Sequence, residues 1–412
     1  MNIWIVGVGE PLPIDGENTR LRRVGNLAKY ISETKDEVHW FSTSFDHYKK
    51  KQRVEQDKTV ELNSNFFLHV AKVSGYKKNI SFARILHHQD AAKQIKKLME
   101  QENKPDVILA GNTPIEVVSM VVEYGKQNNV PVVIDIRDLW PEVFKEVFPN
   151  YMNVLVNPYV AWNKHKLRKT FSNATSLIGL SEGFLNYALA ISKRDKNSLD
   201  TVIPIGYPNY EYNYTSSEFN KLWGNYDITT DDFIVSFTGN FGRQFSFEEI
   251  MEASNKLKYE KKIKFVLCGT GENFDKIKEL APDNVIFPGW IEKDMITSLL
   301  QYSKIGVAPY INSVNYQLNT PNKFGEYLSA SLPILVSVEG EMKNRLIENS
   351  CGNSYQNGEE LSNLIKGYFD NSEKLTIQSE NARALFLSDF NGDIVSETIK
   401  RQLEKVAFKQ ID

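Results

Sequence analysis

The sequence holds only two cysteines in 412 residues, Cys268 and Cys351. That is too few for a disulfide framework and points to a reducing compartment, with Cys268 reading as a small core residue at the end of an apolar run. No stretch approaches the roughly 18 consecutive apolar residues of a spanning helix, so any membrane contact is expected to be peripheral. The opening run, Ile3 to Val6, is too short for a signal peptide and has no basic leader, and the expected compartment is the cytoplasm. Internal repeats and low-complexity tracts are also missing. So is the basic–aromatic stripe or recognition motif of a nucleic-acid binder, and no nucleic-acid partner is expected. A dinucleotide fingerprint fails as well: Gly7 and Gly9 are followed by Leu12 where the third glycine would stand. That weakens a dehydrogenase reading.

What is present fits a soluble globular chain, with 41% hydrophobic and 25% charged residues. The length suits two domains. The formal charge of −3 hides an asymmetry, because the N-terminal half is basic and the C-terminal half acidic. Lysines cluster at Lys49 to Lys51, at Lys77 and Lys78, and along Lys164 to Lys169. They suit either solvated helix faces or contact with an anionic membrane surface or a pyrophosphate-bearing lipid.

Short β-branched or aromatic runs alternate with longer amphipathic ones. Strands are expected at Asn2 to Val6, Glu37 to Ser42, Phe66 to Val73, Asp106 to Ala110, Val132 to Ile136, Ser176 to Leu180 and Val202 to Ile205, with helices between most of them. The pattern lapses from Gly206 to Asp232, then restarts with strands at Phe233 to Thr238, Ile263 to Cys268, Val285 to Phe287, Ile305 to Ala308 and Ile334 to Val338. Nearly continuous apolar strands alternating with helices predict parallel, doubly wound sheets covered on both faces. The expected class is α/β: two Rossmann-like domains, 1–206 and 207–390, with a cleft between them. A C-terminal helix within 391–412 would pack back across.

In open α/β sheets ligands bind beyond the carboxyl ends of the strands. The loop after the first strand carries Gly9, Glu10, Asp15, Gly16, Asn18 and Arg20 before a helix expected near Thr19. Another strand ends in Asp135-Ile136-Arg137-Asp138-Leu139-Trp140, where carboxylates and an arginine crowd one loop. Such a loop can orient sugar hydroxyls or supply a base. The bland alternative is an Arg137 ion-pair network with Trp140 in the core. The second half opens with Gly239-Asn240-Phe241-Gly242-Arg243, a glycine loop followed by a potential phosphate ligand. Gly269, Gly271 and Trp290 follow later strands. Trp290 suits a base-stacking platform or, slightly better, a core position. The strongest local signal is Thr320-Pro321-Asn322-Lys323-Phe324-Gly325-Glu326. Thr320 suits an N-cap and Pro321 the first helical position. Lys323 then sits in a first turn, where a cation is unfavourable unless an anion is present. Glu326 lies one turn further along.

These motifs together resemble glycosyltransferase family 4, of GT-B fold, over nearly the whole chain. The nearest likeness is to the bacterial O-antigen and capsule branch that includes N-acetyl-L-fucosamine transferases. The segments that carry it are the Gly9-Glu10-Pro11-Leu12-Pro13 opening, Asp135 to Glu142, Thr238 to Gly242, Asn284 to Gly289 and Pro321 to Leu328. The resemblance implies retaining transfer from a nucleotide-sugar, UDP-linked, with no required metal or cofactor. It puts the donor on the second domain and a lipid-linked or other saccharide acceptor on the first. Glu326 matches the family's ribose-binding glutamate. Arg243 and Lys323 would then face the diphosphate and stabilise the leaving group, and Asp138 would stand on the acceptor side. The glutamate expected eight residues before Glu326 is replaced by Leu318. Two other readings stay open: an enzyme like the UDP-N-acetylglucosamine 2-epimerases, which share the fold, and a catalytically silent nucleotide-sugar-binding subunit.

Overall fold

The computed structural model describes residues 1–16, 19–79, 81–142 and 153–408. The chain divides into two compact units, Met1–Pro204 with Val395–Asp412, and Ile205–Ile394.

The first unit contains β1 (Asn2–Val6), β2 (Glu37–Thr43), the short pair β3 (Phe45–Asp46) and β4 (Lys51–Gln52), β5 (Lys58–Asn63), β6 (Phe66–Ala71), β7 (Val107–Gly111), β8 (Val132–Ile136), β9 (Ser176–Gly179) and β10 (Thr201–Val202). Its main sheet runs β10-β9-β8-β7-β1-β2-β6-β5. Every pairing in it is parallel except that of β5 with β6. The central strands β7 and β8 are buried at every position, because helices cover both faces. Edge strand β5, Lys-Thr-Val-Glu-Leu-Asn, alternates exposed and half-buried positions. Its weak apolar signal hid it from the sequence reading, and its charge discourages edge-to-edge pairing.

The second unit contains β11 (Phe233–Thr238), β12 (Ile263–Cys268), β13 (Val285–Gly289), β14 (Ser303–Ala308), β15 (Ile334–Val336) and β16 (Gly352–Ser354). They form an all-parallel sheet in the order β13-β12-β11-β14-β15-β16. The order reverses between β11 and β14, so the loops leaving those two strands flank the crevice that doubly wound sheets use for ligands.

Three local expectations are corrected. The first helix begins at Arg23, not near Thr19. The stretch expected to be irregular after Gly206 contains a helix, Ser216–Trp223, nucleated by a reciprocal capping box between Thr215 and Glu218. It buries Phe219 and Trp223. The helix near Thr320 runs Asn322–Ser329 with Pro321 in the cap position, so Thr320 does not cap it.

The final helix, Gly392–Phe408, joins the first unit's core through Val395, Ile399, Leu403 and Val406, which pack with Ile3, Ile5 and Val38. Each such side chain contributes about 1.5–3 kcal/mol when fully buried, which ties the chain's end to β1 and β2. Among the described residues no helix is long and apolar enough to cross a membrane.

Candidate active site

In the second unit the loops leaving β11, β12 and β13 are laced together by backbone hydrogen bonds. Gly239 N–H donates to Cys268 O (2.9 Å), Phe241 N–H to Thr270 O (2.9 Å) and Gly269 N–H to Gly289 O (2.7 Å). Gly269 has φ +132°, and a Cβ there would overlap the Gly239 carbonyl. Only glycine allows these loops to approach so closely. Gly242 follows in the same loop, and Gly271 lies beside the Asn240 side chain.

Beneath the first of these loops lies Lys323. Its side chain is 9% exposed, and its ammonium stands 4.4 Å from the Phe237 ring centroid and 5.6 Å from that of Phe245. A side chain at Gly239 (φ +155°) would collide with that ammonium. No carboxylate among the described residues forms an ion pair with Lys323. Burial pushes its pKa below the ordinary lysine value, against the pull of the nearby Glu326 carboxylate. The cation–π contacts offset only part of this cost. Nearby, the Thr320 hydroxyl is buried without a hydrogen-bond partner among the described residues.

Glu326 follows one turn along the helix and does not stand free. Tyr207 donates its phenol to Oε1 (2.8 Å) and Thr238 its hydroxyl to Oε2 (2.9 Å). Both partners escaped the sequence reading, because neither lies near Glu326 in sequence. Each carboxylate oxygen keeps a lone pair for a further donor. Asn322, in the first turn of this helix, is exposed. Arg243 is 83% exposed and makes a forked pair with Glu272 (Nη2–Oε1 2.7 Å, Nε–Oε2 3.0 Å). It would have to exchange that partner to reach a phosphate. Trp290, weighed as a core residue, is instead 75% exposed at the end of β13.

In the first unit most of the acidic loop residues are spoken for. Arg23 grips Asp135 with Nε–Oδ2 at 2.8 Å and Nη2–Oδ1 at 3.1 Å, and donates onward to the carbonyls of Ile203 and Pro204. Arg137 pairs with Glu10, whose other oxygen accepts from Val24 N–H at 3.1 Å. Arg53 holds Asp15 through two bonds, 2.6 and 2.9 Å. The ion-pair network weighed as the bland alternative therefore accounts for Asp135, Arg137, Glu10 and Asp15. Arg23 and Arg53, which complete it, lie far away in sequence. Trp140 is only half buried, not a core residue. Gly9 and Gly16 take positive φ (83° and 146°), Arg20 is exposed, and Asn18 lies outside the described residues.

Asp138 differs from its neighbours. With Gly9, Trp140, Arg84, His47 and His88 it lines a cavity of about 220 Å³ at the carboxyl ends of β1, β2, β7 and β8. Solvent reaches Asp138, yet protein surrounds it, and this desolvation raises its carboxyl pKa against the opposing pull of Arg137. The fully buried Asn112 positions the loop: its Nδ2 donates to Asp138 O (2.8 Å) and its Oδ1 accepts from Arg137 N–H (3.1 Å). Among the described residues one group has metal-ligand chemistry, His39, His69 and Glu102. There His39 Nδ1 and His69 Nε2 are 2.9 Å apart, a hydrogen bond. Two nitrogens sharing a tetrahedral zinc would stand about 3.3 Å apart.

Residues 221–385 match the family model of glycosyl transferases group 1. Among curated proteins none matches the chain. Solved structures resemble it over almost its whole length. One is Alr3699/HepE from Anabaena in complex with UDP, at 14% identity and TM-score 0.65, covering 98% of this chain and 99% of that one. A glycosyltransferase from Rickettsia africae is 16% identical, with TM-score 0.67 and 99% of each chain covered. WaaG, a glycosyltransferase involved in lipopolysaccharide biosynthesis, is 13% identical, with TM-score 0.62 over 99% of this chain and 100% of that one. The fold is thus GT-B, two Rossmann-like units with parallel sheets. The match to the group 1 glycosyl transferases lies in its second unit.

Proposed function

We propose that the chain is a retaining glycosyltransferase that moves a hexosyl or N-acetylhexosaminyl group from a UDP-sugar to a saccharide or lipid-linked acceptor in bacterial surface polysaccharide synthesis. The observation that carries this reading is the buried ammonium of Lys323, without an ion-pair partner among the described residues, beneath a glycine loop at the switch point of the second sheet. A donor diphosphate is the anion that such a site lacks. In this reading Lys323 receives the charge that develops on the leaving diphosphate, and Arg243 joins it after leaving Glu272. Glu326, oriented by Tyr207 and Thr238, accepts from the ribose hydroxyls, and Trp290 stacks on the base. Similarity to a protein solved with UDP supports the choice of nucleotide.

The acceptor belongs to the first unit's cavity, where Asp138 has no ion-paired cation among the described residues. Its raised pKa suits an exchange of protons with an acceptor hydroxyl nearer neutrality. The basic N-terminal half supports peripheral contact with an anionic membrane. One observation favours a second reading, a silent nucleotide-sugar-binding subunit: Leu318 stands where the family places its first glutamate.

Calorimetric titration with UDP, GDP and dTDP tests the donor site, on the native chain and on Glu326→Ala. UDP is expected to bind, and the variant to weaken it by about 1–3 kcal/mol. Absence of binding by any nucleotide would remove the donor-site reading. Binding without transfer across an acceptor panel would favour the silent subunit.

A further inference from the structure

Arg84 lines the first unit's cavity and Lys50 stands beside it, over the ring of the lining residue Tyr76, and for neither cation do the described residues provide an ion-paired carboxylate. Arg84, in the helix Phe82–Met99, donates from Nη1 to Asn79 O (2.9 Å) and from Nε to His88 Nε2 (3.4 Å). Lys50 donates to the same Asn79, at Oδ1 (2.5 Å). Both stand over one ring, that of Tyr76, with Lys50 4.5 Å and Arg84 5.8 Å from its centroid. Of the nearby carboxylates, Asp138 lines the cavity without an ion pair to either cation among the described residues, and the others are engaged elsewhere. Glu116 lies against His88 (3.7 Å) and Lys166 (3.6 Å), while Asp46 accepts from the Tyr48 and Lys49 N–H groups and faces Arg53.

The histidines beside them add no charge at neutral pH. Burial, followed by the neighbouring cations, brings His47 down to about 4, and His88 falls to about 3 for the same reasons. Two like charges gathered on one ring repel each other and lose hydration. The Tyr76 face returns only part of that cost. An anion between them would remove the conflict, and arginine with lysine is the pair that phosphate oxygens favour. The cavity, at about 220 Å³, has room for such a group.

We propose that this cavity binds a phosphate or diphosphate ester of the acceptor, held between Arg84 and Lys50, while Asp138 and Trp140 meet the attached sugar. This rests on the reading that the first unit takes the acceptor.

The experiment titrates the full chain, saturated with UDP so that the Lys323 site is filled, with two probes. Glucose 1-phosphate represents a soluble sugar phosphate, and farnesyl diphosphate a diphosphate carried on a lipid. At least one probe is expected to bind, and the tighter one assigns the source. Arg84→Gln and Lys50→Asn should each weaken it roughly tenfold or more, the loss of a charge-assisted contact, with thermal melting unchanged. Asparagine suits residue 50 because φ there is +53°. Binding that survives both substitutions, or that UDP abolishes, would overturn the proposal. UDP affinity is read separately on the same samples. Its loss in the native chain would overturn the donor reading, and the two probes, titrated then without UDP, would still report on Arg84 and Lys50.

Discussion

Replacing Lys323 by methionine separates a ligand-binding lysine from a structural one. Methionine keeps most of the apolar stem over Phe237 and Phe245 but removes the charge. Relief of a buried, unpaired cation is worth several kcal/mol in principle, and loss of the cation–π contact takes back up to about 2 kcal/mol. The apo protein should therefore be unchanged or stabilised by about 0–2 kcal/mol. At about 2–4 °C per kcal/mol for a unit of this size, calorimetry would show no fall in Tm. UDP affinity should drop by about 1.5–3 kcal/mol, the value of a hydrogen bond to a charged group, or roughly 10- to 150-fold. The pH dependence carries a second sign. Because the folded pKa lies below the unfolded one, the destabilisation from protonated Lys323 fades as pH rises through the folded value. The gap between Lys323→Met and the native chain should begin to narrow there and close only near the unfolded lysine value, and native UDP affinity should fall as pH rises through the folded value. A variant that loses 3 kcal/mol of stability, or that binds UDP within twofold of the native chain, would refute this reasoning.

Trp290→Ala should weaken UDP binding by about 1–3 kcal/mol, the worth of a base on an aromatic ring, without lowering Tm, because the indole is exposed; fluorescence titration of the native chain should show Trp290 quenching. Arg23→Ala leaves the buried Asp135 carboxylate with only the longer Arg137 contact (3.8 Å) and should cost about 3–5 kcal/mol in urea unfolding, and a loss under 1 kcal/mol would contradict its anchoring role. The acid limb of kcat/KM should lie above the ordinary carboxylate range and vanish in Asp138→Asn, since the raised pKa makes Asp138 gain its charge only at higher pH. An unchanged limb in that variant assigns it to another group.

Much of the fold was legible from the chain alone. Continuous apolar runs marked β1, β8, β11 and β12 almost residue for residue, because strands covered on both faces must be apolar throughout. Glycines and a lysine in a first helical turn marked the loops proposed to hold the donor, because their cost is local and can be read locally. Besides the two-residue β3 and β4, strands β5 and β16 were missed. One alternates polar residues at a sheet edge, and the other is a three-residue strand, Gly-Asn-Ser, held only by its neighbour β15. Electrostatic roles depended wholly on tertiary structure. Asp135 and Asp138 look equivalent in sequence, yet Arg23, 112 positions away, neutralises the first, while the second lines a cavity. Glu326 waits on Tyr207, 119 positions away. Local sequence determines which backbone a segment prefers, whereas the state of a charge is decided by whichever groups folding brings within a few ångströms of it.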